Sequence, residues 1–495
     1  MCVSKISAAM RGYQRDERGV STIWSIFWSI IFLLTSGLVI DASYAYRTRI
    51  ALQATADSAA IGAVMAYRER EYYETFTGNA SFDRELRART VADIIAQQIM
   101  GPSNGDVLTQ DKIEVGYWDG SSFNTSLLPG QAINAAKVTT LRTASNDNQL
   151  PTLLLGAFGI FNSWDVGAVA IAESYLPQCF QKQGVFAVGG VDLQTQTQVI
   201  DYTCLHGEEY VDMQTGNEFG GNTIVSAPTD QQLTGSDTME EIFAQNKGLE
   251  DVWTNETLIP KIIQDFDRIV QTVAYPDYAH PEDIEDFMPD YVRPDMITGR
   301  YEDNTVQYGS AAEFEAVMFE KVGNKLVEQP LQPGSIHLVP CADSAQIIEL
   351  NKPQRIEEVV LVTNCRLQFS QKMHVSNSMI VSLNGMGSDT EGVTASEWAI
   401  SGSAGTSFGS GSCETENGTM IMAEGDVRFA ADLGLMKTQM ISKYDIHIAA
   451  NYDGLNGSYI VAGGDVKVAA LGSVGNCWDY VPDNRISEPY YRLVY

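Results

Sequence analysis

The hydrophobic pattern of this chain changes character three times. Residues 20–40, VSTIWSIFWSIIFLLTSGLVI, are 21 positions without an ionisable group. As an α-helix they extend about 32 Å, against a bilayer hydrocarbon core of about 30 Å. The run stops at Asp41 with no Pro or turn signal. Residues 42–66 continue with nine alanines, and Tyr46, Ile50, Ile61, Val64 and Met65 cluster at three- and four-residue steps. Alanine is the best helix former and this spacing is the helical period. The pattern therefore predicts one rod, apolar all round in its first half and amphipathic in its second. Further on, RELRARTVADIIAQQIM over 84–100 repeats the helical period, while Ile113, Val115 and Tyr117 alternate through 112–118 as in a half-buried strand. Together these predict a small α+β domain over 71–178.

From Cys179 the pattern becomes a repeat. Val191-Asp192-Leu193-Gln194-Thr195 returns 20 residues later as Val211-Asp212-Met213-Gln214-Thr215. In the C-terminal third, GDVRFAA from Gly425, YDIHIAA from Tyr444 and GDVKVAA from Gly464 follow at steps of 19 and 20, and Ile380, Ile400, Ile421, Ile441 and Ile460 keep the same beat. Short alternating strands with Gly/Asn turns at this period predict stacked coils, a right-handed β-helix or solenoid; the Leu-x-x-Leu-x-Leu of leucine-rich horseshoes is absent. A single coil cannot bury its inward Val, Ile and Phe, so neighbours must stack. The expected coils run over 179–229 and 341–478, with about six between 356 and 475 and two more between 184 and 227. An acidic, partly helical insertion separates them over 230–340. It holds MEEIFAQ, GLEDVW and HPEDIEDFMPD and helix-like runs over 258–273 and 311–322. Residues 479–495 read as a tail.

Charge adds topology to this outline. With 32 Lys and Arg against 63 Asp and Glu the chain carries a net charge of −31, which repels phosphate backbones and excludes nucleic acid as a partner. Residues 1–19 oppose that trend: Lys5, Arg11, Arg15 and Arg18 outnumber Asp16 and Glu17 for a net of +2. By the positive-inside rule this lead is cytoplasmic, 20–40 crosses the membrane, and the stalk of 41–70 with everything after it lies outside. Two kinds of processing compete with an intact anchor. Ser43-Tyr44-Ala45 has the small-x-small form of a signal cleavage site, although signal peptides carry an apolar core of only about 7–15 residues. A pilin-type cut after Gly19 would need Glu at the fifth mature position, where Trp24 stands. Export agrees with the cysteines. Beside Cys2, an even set of Cys179, Cys204, Cys341, Cys365, Cys413 and Cys477 lies in the expected exterior, where disulfides form. Spacing favours the local pairs Cys179–Cys204 and Cys341–Cys365, leaving Cys413 with Cys477.

The run RDERGVSTIWSIFWSIIFLLTSGLVIDASYAYRTRIALQATADSAAIGAVMA combines a short basic lead with Gly, an apolar span closing on Gly37-Leu38-x-Ile40-Asp41, a Tyr/Arg stretch with Tyr46, and Leu52-Gln53-x-x-Ala56-Asp57-x-Ala59-Ala60. In these features it resembles the N-terminal segment of TadG-like proteins of the tight-adherence (Flp) pilus assembly system. A second stretch, AAKVTTLRTASNDNQLPTLLLGAFGIFNSWDVGAVAIAES, resembles TadE/TadG proteins in its succession of strand, short Pro-initiated apolar helix and alternating Val/Ala strand. The resemblance covers residues 15–70 and 135–174. It implies a bacterial inner-membrane component whose partners are other Flp assembly proteins or pilin-like subunits. Asp41, Tyr46, Leu52, Gln53, Ala56, Asp57 and Ala60 would then pack against them. Some TadG relatives carry a von Willebrand A-type domain with Asp-x-Ser-x-Ser; here the nearest string, Asp41-x-Ser43, continues with Ala45.

Candidate chemistry is sparse. Asp426, Asp445 and Asp465 recur at one repeat position and Arg428, His447 and Lys467 two residues on, so they share an outward face of strands about 4.8 Å apart. A row of carboxylates beside a row of bases could process or bind an envelope polysaccharide, the alternative function for this chain. More commonly it is a solvated ladder of ion pairs worth under about 1 kcal/mol each. Glu282, Asp283, Glu285 and Asp286 form an acidic group without an Asp-x-Asp-x-Asp-Gly calcium loop. His206, His280, His337, His374 and His447 are scattered, and no zinc-spaced Cys/His set, nucleophilic triad or phosphate-cradling glycine loop occurs. The sequence therefore reads as a non-enzymatic membrane protein without metal or cofactor.

Overall fold

The computed structural model describes residues 18–68; 84–175 except 130 and 160; 177; 179–234 except 195–197, 200, 201 and 215; 241, 244, 251–254, 266 and 270; 305–350 except 323–324; 355–386 except 371; 398–449 except 410–417 and 431; 455–469; and 490–494. The chain forms two units, Met1–Tyr175 with Pro489–Tyr495, and Leu176–Glu488.

In the first unit the rod is a single helix, α1 (Arg18–Arg68), of 51 residues. An apolar 18-residue window of this helix, at mean hydropathy 2.1, is long enough to cross a membrane and only 6% buried. One face of the second half is buried instead: Leu52, Ala56, Ala59, Ala60 and Ala63 are 0% exposed. Helix α2 (Arg84–Met100) turns Ala88, Ala92 and Ala96 to one side, as a four-residue step requires. Two faces of Ala and Gly let the helices approach closely, and a Cβ placed on Gly62 of α1 would lie 2.2 Å from Ile95 Cδ1 of α2. Strands β1 (Ile113–Trp118), β2 (Phe123–Asn124), β3 (Ala135–Arg142) and β4 (Val166–Tyr175) form an antiparallel sheet with β5 (Tyr490–Leu493) in the order β2-β1-β3-β4-β5. Helix α1 lies against β3 and β4, where Thr140 Oγ1 donates to the Leu52 carbonyl (3.0 Å) and Gln53 Nε2 to that of Val169 (3.0 Å).

Two expectations need correction here. The segment read as a tail supplies β5, in which Tyr490 pairs with Tyr175 and Leu493 with Ala172, and Arg492 binds Glu173 at 2.7 Å. The Pro-initiated helix near 152–159 is a run of tight turns in which Ala157, Phe158 and Gly159 donate to the carbonyls three residues back. Gly159 takes φ +68°, which ends any helix there.

The second unit consists mainly of parallel strands. In the first sheet Ser335–Val339, Val359–Thr363, Ser378–Ser382, Thr419–Ala423, Thr438–Ser442 and Tyr459–Ala462 lie side by side in chain order. Gln183–Ala187, Thr203–Gly207, Ile224–Ala227 and Asp251–Thr254 then continue the same sheet. A second sheet repeats the arrangement from Ile347–Leu350 to Val466–Val468 and on through Gly190–Leu193, Tyr210–Met213 and Leu233–Thr234. A third runs from Arg355–Glu357 to Leu455–Asn456. Both stretches of repeats therefore form one stack, permuted relative to the chain: Ile460 pairs with Val185 and Val466 with Val191. The inward row Val427, Ile446, Val466, Val191, Val211 is 0% exposed throughout, so the core passes through this joint without a break. Single residues in the left-handed region, Glu358, Asn377 and Lys437, turn the chain between the third sheet and the first.

The ladder extends into the span expected to be an insertion, since Thr305–Gln307 is the last strand of the first sheet at one end and Asp251–Thr254 at the other. Helix α3 (Ala311–Met318) places Ala311, Phe314 and Met318 in the common core beside Tyr308, following the edge strand Thr305–Gln307. The helix stops at Met318. Phe319–Val322 and Lys325–Glu328 pair antiparallel, Phe319 opposite Glu328 and Val322 opposite Lys325. Of the run 258–273 only Phe266 and Val270 are described, both buried. The isoleucine beat was partly coincidental. Ile380 and Ile421 are register partners, but Ile400 belongs to the second sheet and Ile441 sits one position out of that row.

Candidate functional site

The residues expected to meet partner helices are for the most part already in use. Leu52, Ala56 and Ala60 face the first unit's own core, because their spacing matches the alanine face of α2 and the surface of β3 and β4. Gln53 Nε2 reaches both Asp57 Oδ1 (2.7 Å) and the Val169 carbonyl. Partner packing through these side chains would require this core to open. Tyr46 remains outside, 67% exposed, with Ile50 at 53%.

Asp41 has a role the sequence did not disclose. It is 2% exposed, and its carboxylate accepts the backbone N–H groups of Leu153 (2.7 Å), Leu154 (3.2 Å) and Leu155 (2.7 Å). A carboxylate is acceptor-only, and a fan of three consecutive N–H donors satisfies it without a countercharge. The residue that ends the apolar run therefore clamps a loop 112–114 residues away onto α1.

The aspartate row of the second unit is a structural seam. Asp426 Oδ1 accepts Asp445 N–H (3.1 Å), Asp445 Oδ1 accepts Asp465 N–H (2.7 Å), and Asp465 Oδ1 accepts Gly190 N–H (2.8 Å). Each aspartate thus binds the backbone at the start of the neighbouring parallel strand, and the last bond crosses the joint. There Tyr210 donates its hydroxyl to Asp465 Oδ2 (2.9 Å); burial and then this bond push its pKa up. The basic row is also occupied. Arg428 lies over the Trp398 ring at 5.5 Å, His447 Nε2 is 3.7 Å from Asp445 Oδ2, and Lys467 is the register partner of Asp192. Asp192 has its carboxyl pushed up by burial and by Asp212, with Lys467 opposing.

Buried histidines are likewise bound. His337 lies 2% exposed in the core row between Val306 and Leu361, with Tyr308 Oη at 2.9 Å and Ser335 Oγ at 2.7 Å. Burial pulls its pKa down to about 4, so it is a neutral core residue at neutral pH. His206 contacts Ser226 Oγ (2.9 Å) and Glu208 (3.3 Å), and the half-buried His374 contacts Ser407 Oγ (2.8 Å). Disulfides join Cys179 to Cys204 and Cys341 to Cys365, each with Cα atoms 5.2 Å apart. Cys413, Cys477, His280 and the acidic group Glu282, Asp283, Glu285 and Asp286 lie outside the described residues. Among the described residues no three His, Cys, Asp or Glu side chains converge as metal ligands.

The family model described as "Domain of unknown function (DUF7867)" matches residues 184–478, more than half of the chain. A second, "Putative Flp pilus-assembly TadE/G-like", matches residues 19–66, which confirms the N-terminal resemblance. No curated protein matches. Among solved structures, the competence-associated pilin ComZ from Thermus thermophilus is 9% identical, over 80% of this chain and 90% of that one. Its TM-score of 0.24 is too low to support any argument.

Proposed function

We propose, from the premise that this chain belongs to the DUF7867 domain family and carries a TadE/G-like segment, that it is a non-enzymatic, membrane-anchored, TadG-like component of Flp pilus assembly. The carrying observation is that residues 19–66 lie within one uninterrupted helix. Its exposed apolar half has membrane length and its other half is the core of a folded domain. An anchor continuous with its domain transmits position, which suits an assembly scaffold. The basic lead supports a cytoplasmic N-terminus in the inner membrane of a bacterium, with the bulk in the periplasm or at the surface. The two disulfides support an oxidising compartment for the second unit. Parallel sheets repeating at steps of 19 and 20 support reading that unit as a right-handed β-helix whose long side presents a surface to protein partners.

Photo-cross-linking from Tyr46 and Ile50 in living cells tests this proposal. The expected adducts are pilin-like subunits or other Flp assembly proteins. Adducts confined to unrelated envelope proteins would overturn it.

A further inference from the structure

The loop clamped by Asp41 is apolar without being buried. TLLLGAFGIF, residues 152–161, holds no ionisable group. Leu153 is 57% exposed, Leu154 37%, Phe158 50% and Phe161 60%. A contiguous exposed patch of large apolar side chains marks a surface that meets something other than water.

Its height on α1 says what that is. A Cβ built on Gly37 would lie 3.3 Å from Leu154 Cβ and 3.9 Å from Leu155 Cδ2, so the loop rests against the helix at Gly37 as well as at Asp41. Gly37 is one turn inside the apolar run, about 6 Å to the membrane side of Asp41 at 1.5 Å per residue. On either side of the contact the helix exposes Leu33, Leu38, Val39 and Ile40. The loop patch and the anchor surface are therefore continuous.

The loop backbone is also prepared for a water-poor layer. Irregular backbone is costly in lipid because each unpaired N–H or C=O goes unsatisfied. Here Asp41 takes the N–H groups of Leu153, Leu154 and Leu155. Those of Ala157, Phe158 and Gly159 go to carbonyls within the loop, and Thr152 N–H goes to the Asn162 carbonyl.

We infer that residues 152–161 are a second membrane-inserted element, whose Leu153, Leu154, Phe158 and Phe161 side chains enter the acyl-chain boundary of the leaflet beside the ectodomain. Membrane-surface segments seat at a depth of about 5–10 Å, which matches the level of Gly37. The first unit is then held to the bilayer at two points, and its height and rotation about α1 are fixed. The inference rests on reading the apolar half of α1 as the anchor.

The test places a solvatochromic fluorescent amino acid at Phe158, and separately at Phe161, in the full chain reconstituted into phosphatidylethanolamine/phosphatidylglycerol vesicles. Phe32 reports the anchor and the exposed Leu128 reports water. Emission at 158 and 161 should be blue-shifted, largely lost when lipids carry a nitroxide high on the acyl chain, and resistant to aqueous iodide. Leu128 should show the reverse. Iodide quenching at 158 and 161 with lipid quenching at Phe32 would overturn the inference while leaving the anchor intact. Protection from iodide that disappears as protein is diluted into excess lipid would assign the patch to a second copy and also overturn it. An unquenched Phe32 would remove the anchor reading itself.

Discussion

Replacing Asp465 with Ala should weaken the joint between the two ends of the repeat sequence. Asp465 lies in the coil that ends at Val468, yet its carboxylate holds Gly190 N–H at 2.8 Å and Tyr210 Oη at 2.9 Å, groups 275 and 255 residues away. Hydrogen bonds to a charged acceptor contribute about 1.5–3 kcal/mol each. The site is partly open to water, which can solvate the freed N–H, so the combined loss is nearer the lower bound, about 3 kcal/mol. For a unit of this size that corresponds to a fall in melting temperature of about 5 °C. Differential scanning calorimetry of the full chain in micelles reads this directly. The Tyr210 hydroxyl should also titrate at lower pH in the variant, since its bond to Asp465 helps hold its pKa up. A variant that melts with wild type and leaves the Tyr210 titration unmoved would refute the joint as drawn.

Other perturbations address separate parts of the structure. Ala60→Leu places three extra carbons at a position with 0% exposure, and overpacking of this kind costs about 1–3 kcal/mol, so proteolysis of residues 18–175 should accelerate while the second unit melts normally. Phe314→Ala removes the aromatic plug of α3, which is 0% exposed and packs edge-on to Tyr308 at 5.1 Å; a loss of about 3–5 kcal/mol should appear as earlier unfolding at that end in hydrogen exchange. His337 gives a pH signature. Its pKa is about 4 folded and about 6.5 unfolded, so the unfolded chain binds more protons between those values. Stability should be constant above about pH 6.5, fall by about 3 kcal/mol as the pH drops toward 4, and level off below. His337→Phe should flatten that limb in a melting series across pH, and an unchanged limb would assign the acid sensitivity to other groups.

Much of this architecture was legible because local pattern and tertiary role coincide. Alanine at 88, 92 and 96 is both a helix signal and a packing face, and α2 starts and ends where its period does. The repeats at Asp445 and Asp465 encode strands that lie beside each other, so sequence spacing maps onto stacking. Legibility fails where a partner is set by distance along the chain. Nothing near Gln183 announces that its strand pairs with Tyr459–Ala462, because parallel pairing imposes no turn between the partners. Ile400 kept the beat by coincidence, since it lies in the second sheet and the next first-sheet strand begins only at Thr419. Asp41 was readable as the end of an apolar run, but its clamp on Leu153–155 has no local signature. The aspartate row is legible as a row, but the targets of its side chains are not. Backbone N–H groups of the next coil are invisible to a reading of residue types.

Membrane anchoring in pilus assembly is tested by counting pili on cells lacking this chain that are complemented in turn by the full chain and by one whose residues 18–40 are replaced with a cleavable export signal. The anchored chain should restore pili and the released one should not. Piliation that survives loss of the chain, or is restored by the released form, would contradict its assignment as a membrane-anchored component of pilus assembly.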